Sequence, residues 1–178
     1  MKNKFLIITG GTGGHVIPAN NFANYLISKN INCRLILDKR GYSYIDKSNC
    51  VINIVNSSNL NGGIFSKIIG LLNLFIGFLK SFLIILIFKP KFVLSFGSYA
   101  SFFPMMSCIL LKPFYNIEIY IHEQNSIIGR SNNFYLKYAN KLFLNFDLGT
   151  NNKKKIYLSN SYVVGSPEKN NVSKYKKK

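Results

Sequence analysis

Short apolar stretches without polar alternation recur along the chain, separated by longer segments with helical periodicity. The pattern predicts strands at Lys4–Thr9, Asn32–Leu37, Val51–Val55, Phe92–Ser95, Ile117–His122, Lys141–Phe146 and Ser161–Val164. It predicts helices at His15–Lys29, Ile64–Phe88, Ser101–Leu111 and Gly129–Tyr138. Strands that are apolar at consecutive positions suit a sheet covered on both faces. Their alternation with helices implies right-handed βαβ units. The expected fold is therefore α/β, a doubly wound and mostly parallel sheet. No internal repeat is visible.

The segment Ile64–Phe88 departs from the usual crossover pattern. As a helix rising 1.5 Å per residue it is long enough to cross a bilayer. Ser66, Lys67, Gly70, Asn73, Gly77, Lys80 and Ser81 fall within an arc of roughly 140°, and Leu, Ile and Phe fill the remaining circumference. Three readings stay open. The segment is a buried crossover helix, a crossover helix whose outer apolar face dips into a membrane interface, or a spanning helix. Lys67, Lys80, Lys89 and Lys91 favour the interface over the span, since each lysine near an anionic surface contributes on the order of 1 kcal/mol.

Composition narrows the class. The 178 residues are 48% hydrophobic and 16% charged, which excludes disorder for most of the chain. A chain of this length hides roughly 70% of its unfolded surface without disulfides or metals. The net charge of +17 attracts polyanions such as nucleic acid, anionic lipid or phosphorylated substrates. The 23 asparagines, with many Ile and Lys, suggest an A/T-rich genome, so part of the basic excess reflects codon drift. Cys33, Cys50 and Cys108 are widely spaced with no C-x-x-C pair, and read as free thiols in a reducing compartment. Residues 168–178 are lysine-rich and nearly devoid of apolar side chains, and are expected to form a disordered basic tail behind one domain at 1–167. Phe5-Leu6-Ile7-Ile8 is too short for a signal h-region and runs into glycines.

Candidate chemistry gathers where strands end. Gly10-Gly11-Thr12-Gly13-Gly14-His15 follows the first strand and opens a helix. Glycines allow close backbone approach, and a helix N-terminus offers unpaired N–H groups to a phosphate or diphosphate. No Lys-Ser or Lys-Thr follows, so this is not a P-loop. Val16 stands where the dinucleotide pattern counted from Gly11 needs its third glycine. Asp38, after the second strand, is a weak imitation of a ribose-binding acid. His15 lies in the first helical turn, where the dipole disfavours imidazolium. A neutral ring there can take a proton as a general base, or it merely hydrogen-bonds the loop.

A second cluster, Phe96-Gly97-Ser98-Tyr99-Ala100-Ser101, follows the Phe92–Ser95 strand. A third, His122-Glu123-Gln124-Asn125, ends the Ile117–His122 strand, with Gly129 and Asn132 beyond it. Ligands of such sheets bind outside the carboxyl ends of the strands, so all three clusters are expected on one cleft.

These residues resemble the MurG glycosyltransferases. The resemblance rests on Gly10 to Ala19, on Lys89 to Ser101, on His122-Glu123-Gln124-Asn125 and on Val163-Val164-Gly165-Ser166-Pro167, in the family's order. It implies a Rossmann-like sheet, the amino-terminal half of a GT-B enzyme whose carboxyl-terminal donor domain is not expected in this chain. It implies inverting transfer of N-acetylglucosamine from UDP-N-acetylglucosamine to undecaprenyl-diphospho-muramoyl-pentapeptide in peptidoglycan synthesis. Carried over by position, Thr12, Gly13, Gly14, Asn125 and Lys169 would contact the donor. His15 would be the base, and Tyr99, His122 and Glu123 would lie on the acceptor side. Ser98 stands where the family usually has a second glycine, and Lys169 where it has a donor-contacting arginine.

No cofactor or bound metal is implied. The implied partners are the undecaprenyl-linked lipid acceptor, an anionic membrane surface met through Ile64–Phe88, and a separate donor-binding chain. The implied location is peripheral, on the cytoplasmic face of the bacterial plasma membrane. The chain is then either half of an enzyme, with little activity alone, or a non-catalytic anchoring module that recruits a catalytic partner. Nucleic acid is not expected, since the phenylalanines sit in core-like runs and no RNA-binding motif is present.

Overall fold

The computed structural model describes residues 3–58, 63–148 and 160–167. Seven strands form one sheet: β1 (Lys4–Ile8), β2 (Asn32–Asp38), β3 (Val51–Val55), β4 (Phe92–Ser95), β5 (Glu118–Glu123), β6 (Lys141–Leu144) and β7 (Ser161–Val163). Their spatial order is β3-β2-β1-β4-β5-β6-β7, and every neighbouring pair is parallel. All seven carboxyl ends therefore lie on one side. The order reverses between β1 and β4, which opens a crevice there.

Helices cover both faces, which accounts for the unbroken apolar strands. Leu6 and Ile8 of β1 point to one face, into a cluster with Ile85, Phe88, Met105, Cys108 and Leu111. These residues come from α3 (Ile64–Phe88) and α4 (Phe102–Tyr115). Ile7, between them, points to the other face with Val16, Ala19, Ala23 and Leu26 of α1 (Gly13–Ser28). The three cysteines are free thiols, and all are buried.

The helix α3 resolves one open question. Its buried residues are Gly70, Leu74, Gly77, Ser81, Ile85 and Phe88, a single stripe at helical spacing. The small side chains thus face inward. A Cβ on Gly77 would stand 2.1 Å from the Asn56 carbonyl oxygen, so the helix rides directly on the loop after β3. Ser81 closes its own polar need by donating Oγ–H to the Gly77 carbonyl at 2.7 Å. Phe65, Ile68, Leu72, Phe75, Ile76 and Leu79 are left exposed on the outside. The wholly buried reading is therefore corrected: α3 is a crossover helix with an uncovered apolar outer surface.

Smaller departures from the expected elements have local causes. A short helix, α2 (Lys39–Tyr42), follows β2 and is capped by Asp38, whose carboxylate accepts from the Gly41 N–H at 3.0 Å. The helix α4 runs past Leu111 to Tyr115. Pro113 lies in its last turn, and Asn116 ends it in a left-handed conformation. The segment expected as one helix at Gly129–Tyr138 is α5 (Arg130–Tyr135) followed by a 3₁₀ turn at Leu136–Tyr138. Residues 168–178, the expected tail, lie outside the described residues.

Candidate active site

The turn after β1 is built so that backbone reaches the crevice. Gly11 has φ +77°, and a Cβ there would stand 2.7 Å from Ser98 Oγ. A Cβ on Gly10 would stand 2.6 Å from that of Ala100. The first two clusters are thus in contact, with no room for side chains between them. Thr12 is the N-cap of α1 but makes no side-chain cap bond, and its carbonyl accepts from the His15 and Val16 N–H groups. The amides of Gly13 and Gly14 lie in the first turn, where a helix supplies no acceptor. The Tyr44 ring borders them, 3.1 Å from where a Gly13 Cβ would be.

His15 joins the same two clusters. Its Nδ1 lies 2.9 Å from the Phe96 carbonyl oxygen. A carbonyl only accepts, so Nδ1 carries the proton and the neutral ring keeps its lone pair on Nε2. The partner carbonyl lies 81 residues away, just past β4, so sequence position alone did not reveal this tether.

Asp38 is buried under the loop, which corrects its reading as a ribose ligand. Its Oδ1 accepts from Gly11 N–H at 2.8 Å and Gly41 N–H at 3.0 Å. Its Oδ2 accepts from Ser57 Oγ at 2.8 Å and Arg40 Nε at 3.1 Å. Burial penalises the charged carboxylate, but the donors from Gly11, Gly41, Ser57 and Arg40 outweigh it and hold the acid below its ordinary range. A sequence signal for this role existed: an Asp three residues before Gly41 at the start of a helix reads as an N-cap.

His122 and Glu123, expected on the acceptor side, are both buried at the carboxyl end of β5. His122 is 3% exposed and stacks on Phe96 with ring centroids 5.1 Å apart. Its Nε2 donates to the Gly165 carbonyl at 2.9 Å, and Nδ1 accepts from the Gln124 side-chain amide. Burial keeps the imidazole below its usual range, against the opposing pull of the Gly165 carbonyl and Glu123. Glu123 is wholly buried. It accepts from the Asn125 N–H and side-chain amide on Oε1, and from Gly129 N–H and Asn132 Nδ2 on Oε2. Both side chains are buried and spend their polar atoms on neighbouring loop groups.

Asn125 is exposed, with its amide nitrogen committed to Glu123 and no bond to its side-chain oxygen among the described residues. Tyr99 is 45% exposed on a 3₁₀ turn at Tyr99–Ser101 beside the crevice. Ser98 precedes that turn at φ +87°, ψ 155°, a backbone region that residues other than glycine rarely enter. The segment 164–167 crosses back over the sheet, where the Pro167 carbonyl accepts from Asn21 Nδ2 of α1 at 3.1 Å. Lys169 lies outside the described residues.

The glycosyltransferase family 28 N-terminal domain matches residues 5–144. The chain belongs to that family. As a family 28 domain it has full-length relatives among the curated UDP-N-acetylglucosamine--N-acetylmuramyl-(pentapeptide) pyrophosphoryl-undecaprenol N-acetylglucosamine transferases. The protein of that name from Protochlamydia amoebophila is 33% identical over 171 residues, covering 94% of this chain and 43% of the relative. The one from Rickettsia typhi is 35% identical over 145 residues, covering 81% and 36%. The family 28 chain therefore spans less than half the length of these relatives. Among solved structures, MurG of Acinetobacter baumannii superposes with a TM-score of 0.67 at 20% identity, over 82% of this chain and 42% of that one. At that identity the likeness speaks for the fold.

Proposed function

We propose that this domain supplies the acceptor-binding, membrane-facing half of a transferase. That enzyme would move N-acetylglucosamine from UDP-N-acetylglucosamine to a muramoyl-pentapeptide carried on undecaprenyl diphosphate. The curated relatives carry that activity in their names. The observation that carries the reading is His15 at the mouth of the glycine turn, with Nδ1 tied to Phe96 and no group bonded to Nε2 among the described residues. In this reading Nε2 takes the proton of an acceptor sugar hydroxyl as its oxygen attacks the anomeric carbon from the face opposite UDP. The amides of Gly13 and Gly14, at the positive end of α1, bind a diphosphate. Dipoles and backbone donors stabilise the charge on the departing diphosphate. The carbonyl of Asn125 and the hydroxyl of Thr12 add polar contacts on the donor side, and Tyr99 lines the acceptor side.

In this reading the domain sits peripherally on the cytoplasmic face of the membrane, and the exposed apolar outer surface of α3 supports the membrane contact itself. By length and composition alone the 25-residue α3 could span a bilayer. Its inner stripe is already packed on the sheet and on α4, however, which leaves only one face for lipid.

The test is radiolabelled transfer to the lipid acceptor in vesicles, with and without a donor-binding half from a relative. Holding both reactants in line is worth about 7–11 kcal/mol of barrier, so the chain alone should transfer nothing measurable. Supplied with the other half it should turn over, and His15→Asn should lower that rate by ~10²–10⁴ with little change in donor affinity. Enzyme-like transfer by the purified chain alone would overturn this division of labour. Undiminished turnover of His15→Asn would remove His15 as the base.

A further inference from the structure

Arg40 is held by a carboxylate in a chain that has few to offer. The sequence has 23 basic and 6 acidic side chains, so most cations have no acid to pair with. Arg40 Nε nevertheless meets Asp38 Oδ2 at 3.1 Å. The pair is lopsided, since the Arg40 side chain is 55% exposed and that of Asp38 only 2%. An ion pair open to water on one side contributes little to stability. What it does determine is where the guanidinium sits.

That position is next to the glycine turn. The other oxygen of Asp38 accepts from the Gly11 N–H, so a single carboxylate joins Arg40 to the turn that leads into α1. The two segments are also pressed together, because a Cβ on Gly41 would stand 3.1 Å from Gly10 Cα. Ser57, from the loop after β3, braces the same carboxylate. Only Nε of the guanidinium is spent on Asp38. Its two terminal amino groups have no partner among the described residues, and such a fork matches the oxygens of a phosphate.

We propose that Arg40 is a further diphosphate-binding residue of this site, with Asp38 as the positioning residue that holds it beside the glycine turn. The proposal rests on the reading of that turn as a diphosphate cradle. The diphosphate could belong to the lipid-linked acceptor or to a free nucleotide, and the experiment separates the two.

The full chain is titrated with neutral phosphatidylcholine vesicles carrying undecaprenyl diphosphate, with the same vesicles carrying undecaprenyl monophosphate, and with UDP in solution. The unaltered chain should prefer the diphosphate vesicles to the monophosphate ones. Arg40→Gln should weaken diphosphate binding roughly tenfold, and Arg40→Lys, which keeps charge but not the fork, by less. Asp38→Asn keeps an oxygen for the Gly11 and Gly41 amides but no longer holds Nε. It should weaken binding several-fold, and adding it to Arg40→Gln should change nothing further, because it acts through Arg40. If Asp38→Asn fails to fold, the two Arg40 variants decide.

A wild-type preference for diphosphate that Arg40→Gln leaves intact would overturn the proposal and spare the cradle. No preference in the unaltered chain would overturn both. Additive losses in the double variant would remove the positioning role of Asp38. Tighter binding of UDP than of the lipid diphosphate, lost in Arg40→Gln, would keep Arg40 as a diphosphate ligand and place it on the donor side.

Discussion

Replacing Ser98 with glycine should stabilise the protein. Ser98 has φ +87° and ψ 155°, and a non-glycine residue held in that region carries strain of about 1–3 kcal/mol. Two effects oppose the relief. Glycine loosens the unfolded chain by about 0.4–1 kcal/mol. The Ser98 hydroxyl also accepts from the Ala100 N–H, but at 3.3 Å, and a cap replaced by glycine loses only about a few tenths of a kcal/mol. The strain term wins, leaving a gain of about 1 kcal/mol and a Tm about 2–4 °C higher for a chain of this size. Ser98→Ala supplies the control. It keeps the Cβ and therefore the strain, yet loses the acceptor, so its Tm should fall. Thermal unfolding of both variants, followed by circular dichroism, gives shifts of opposite sign if the reasoning holds. A Ser98→Gly protein no more stable than Ser98→Ala would refute it.

Gly77→Ala should lower the Tm by roughly 6–12 °C, equivalent to about 3 kcal/mol of overpacking against the Asn56 backbone. An ordinary mid-helix glycine would instead gain from alanine by about 1 kcal/mol, so the sign decides. Stability should fall on acidification in two limbs. His122 is held below its usual range, so its contribution is complete above about pH 6.5 and is lost as pH falls through its lowered folded value. Asp38 is also lowered, so its contribution is complete above about pH 4 and disappears below that. Tm measured against pH for His122→Asn and Asp38→Asn should each lack one limb. Ile68→Glu with Ile76→Glu, both on the exposed face of α3, should abolish flotation with anionic vesicles and leave the Tm nearly unchanged. Retained flotation would move the membrane contact elsewhere.

The chain's own order of residues determined the strands, the parallel sheet and the location of the chemistry. Periodicity and turn chemistry are local properties, and the unbroken apolar strands could be covered only on both faces. The glycine turn, the Phe96–Ser101 loop and the His122–Asn125 loop had to share one side once all the strands ran parallel. Only the tertiary structure decided what each polar residue does there. Asp38, His122 and Glu123 look alike in sequence as polar groups at strand ends. They differ from His15 because hydrogen bonds use both oxygens of Asp38, both ring nitrogens of His122 and both oxygens of Glu123, with partners 2 to 27, 2 to 43 and 2 to 9 residues away respectively. Of His15, only Nδ1 is bonded among the described residues. The orientation of α3 was equally hidden. Apolar faces ordinarily turn inward, but Gly77 lets the helix lie against the Asn56 backbone more closely than Leu or Phe could. Close backbone packing of the small stripe therefore left the larger side chains outside.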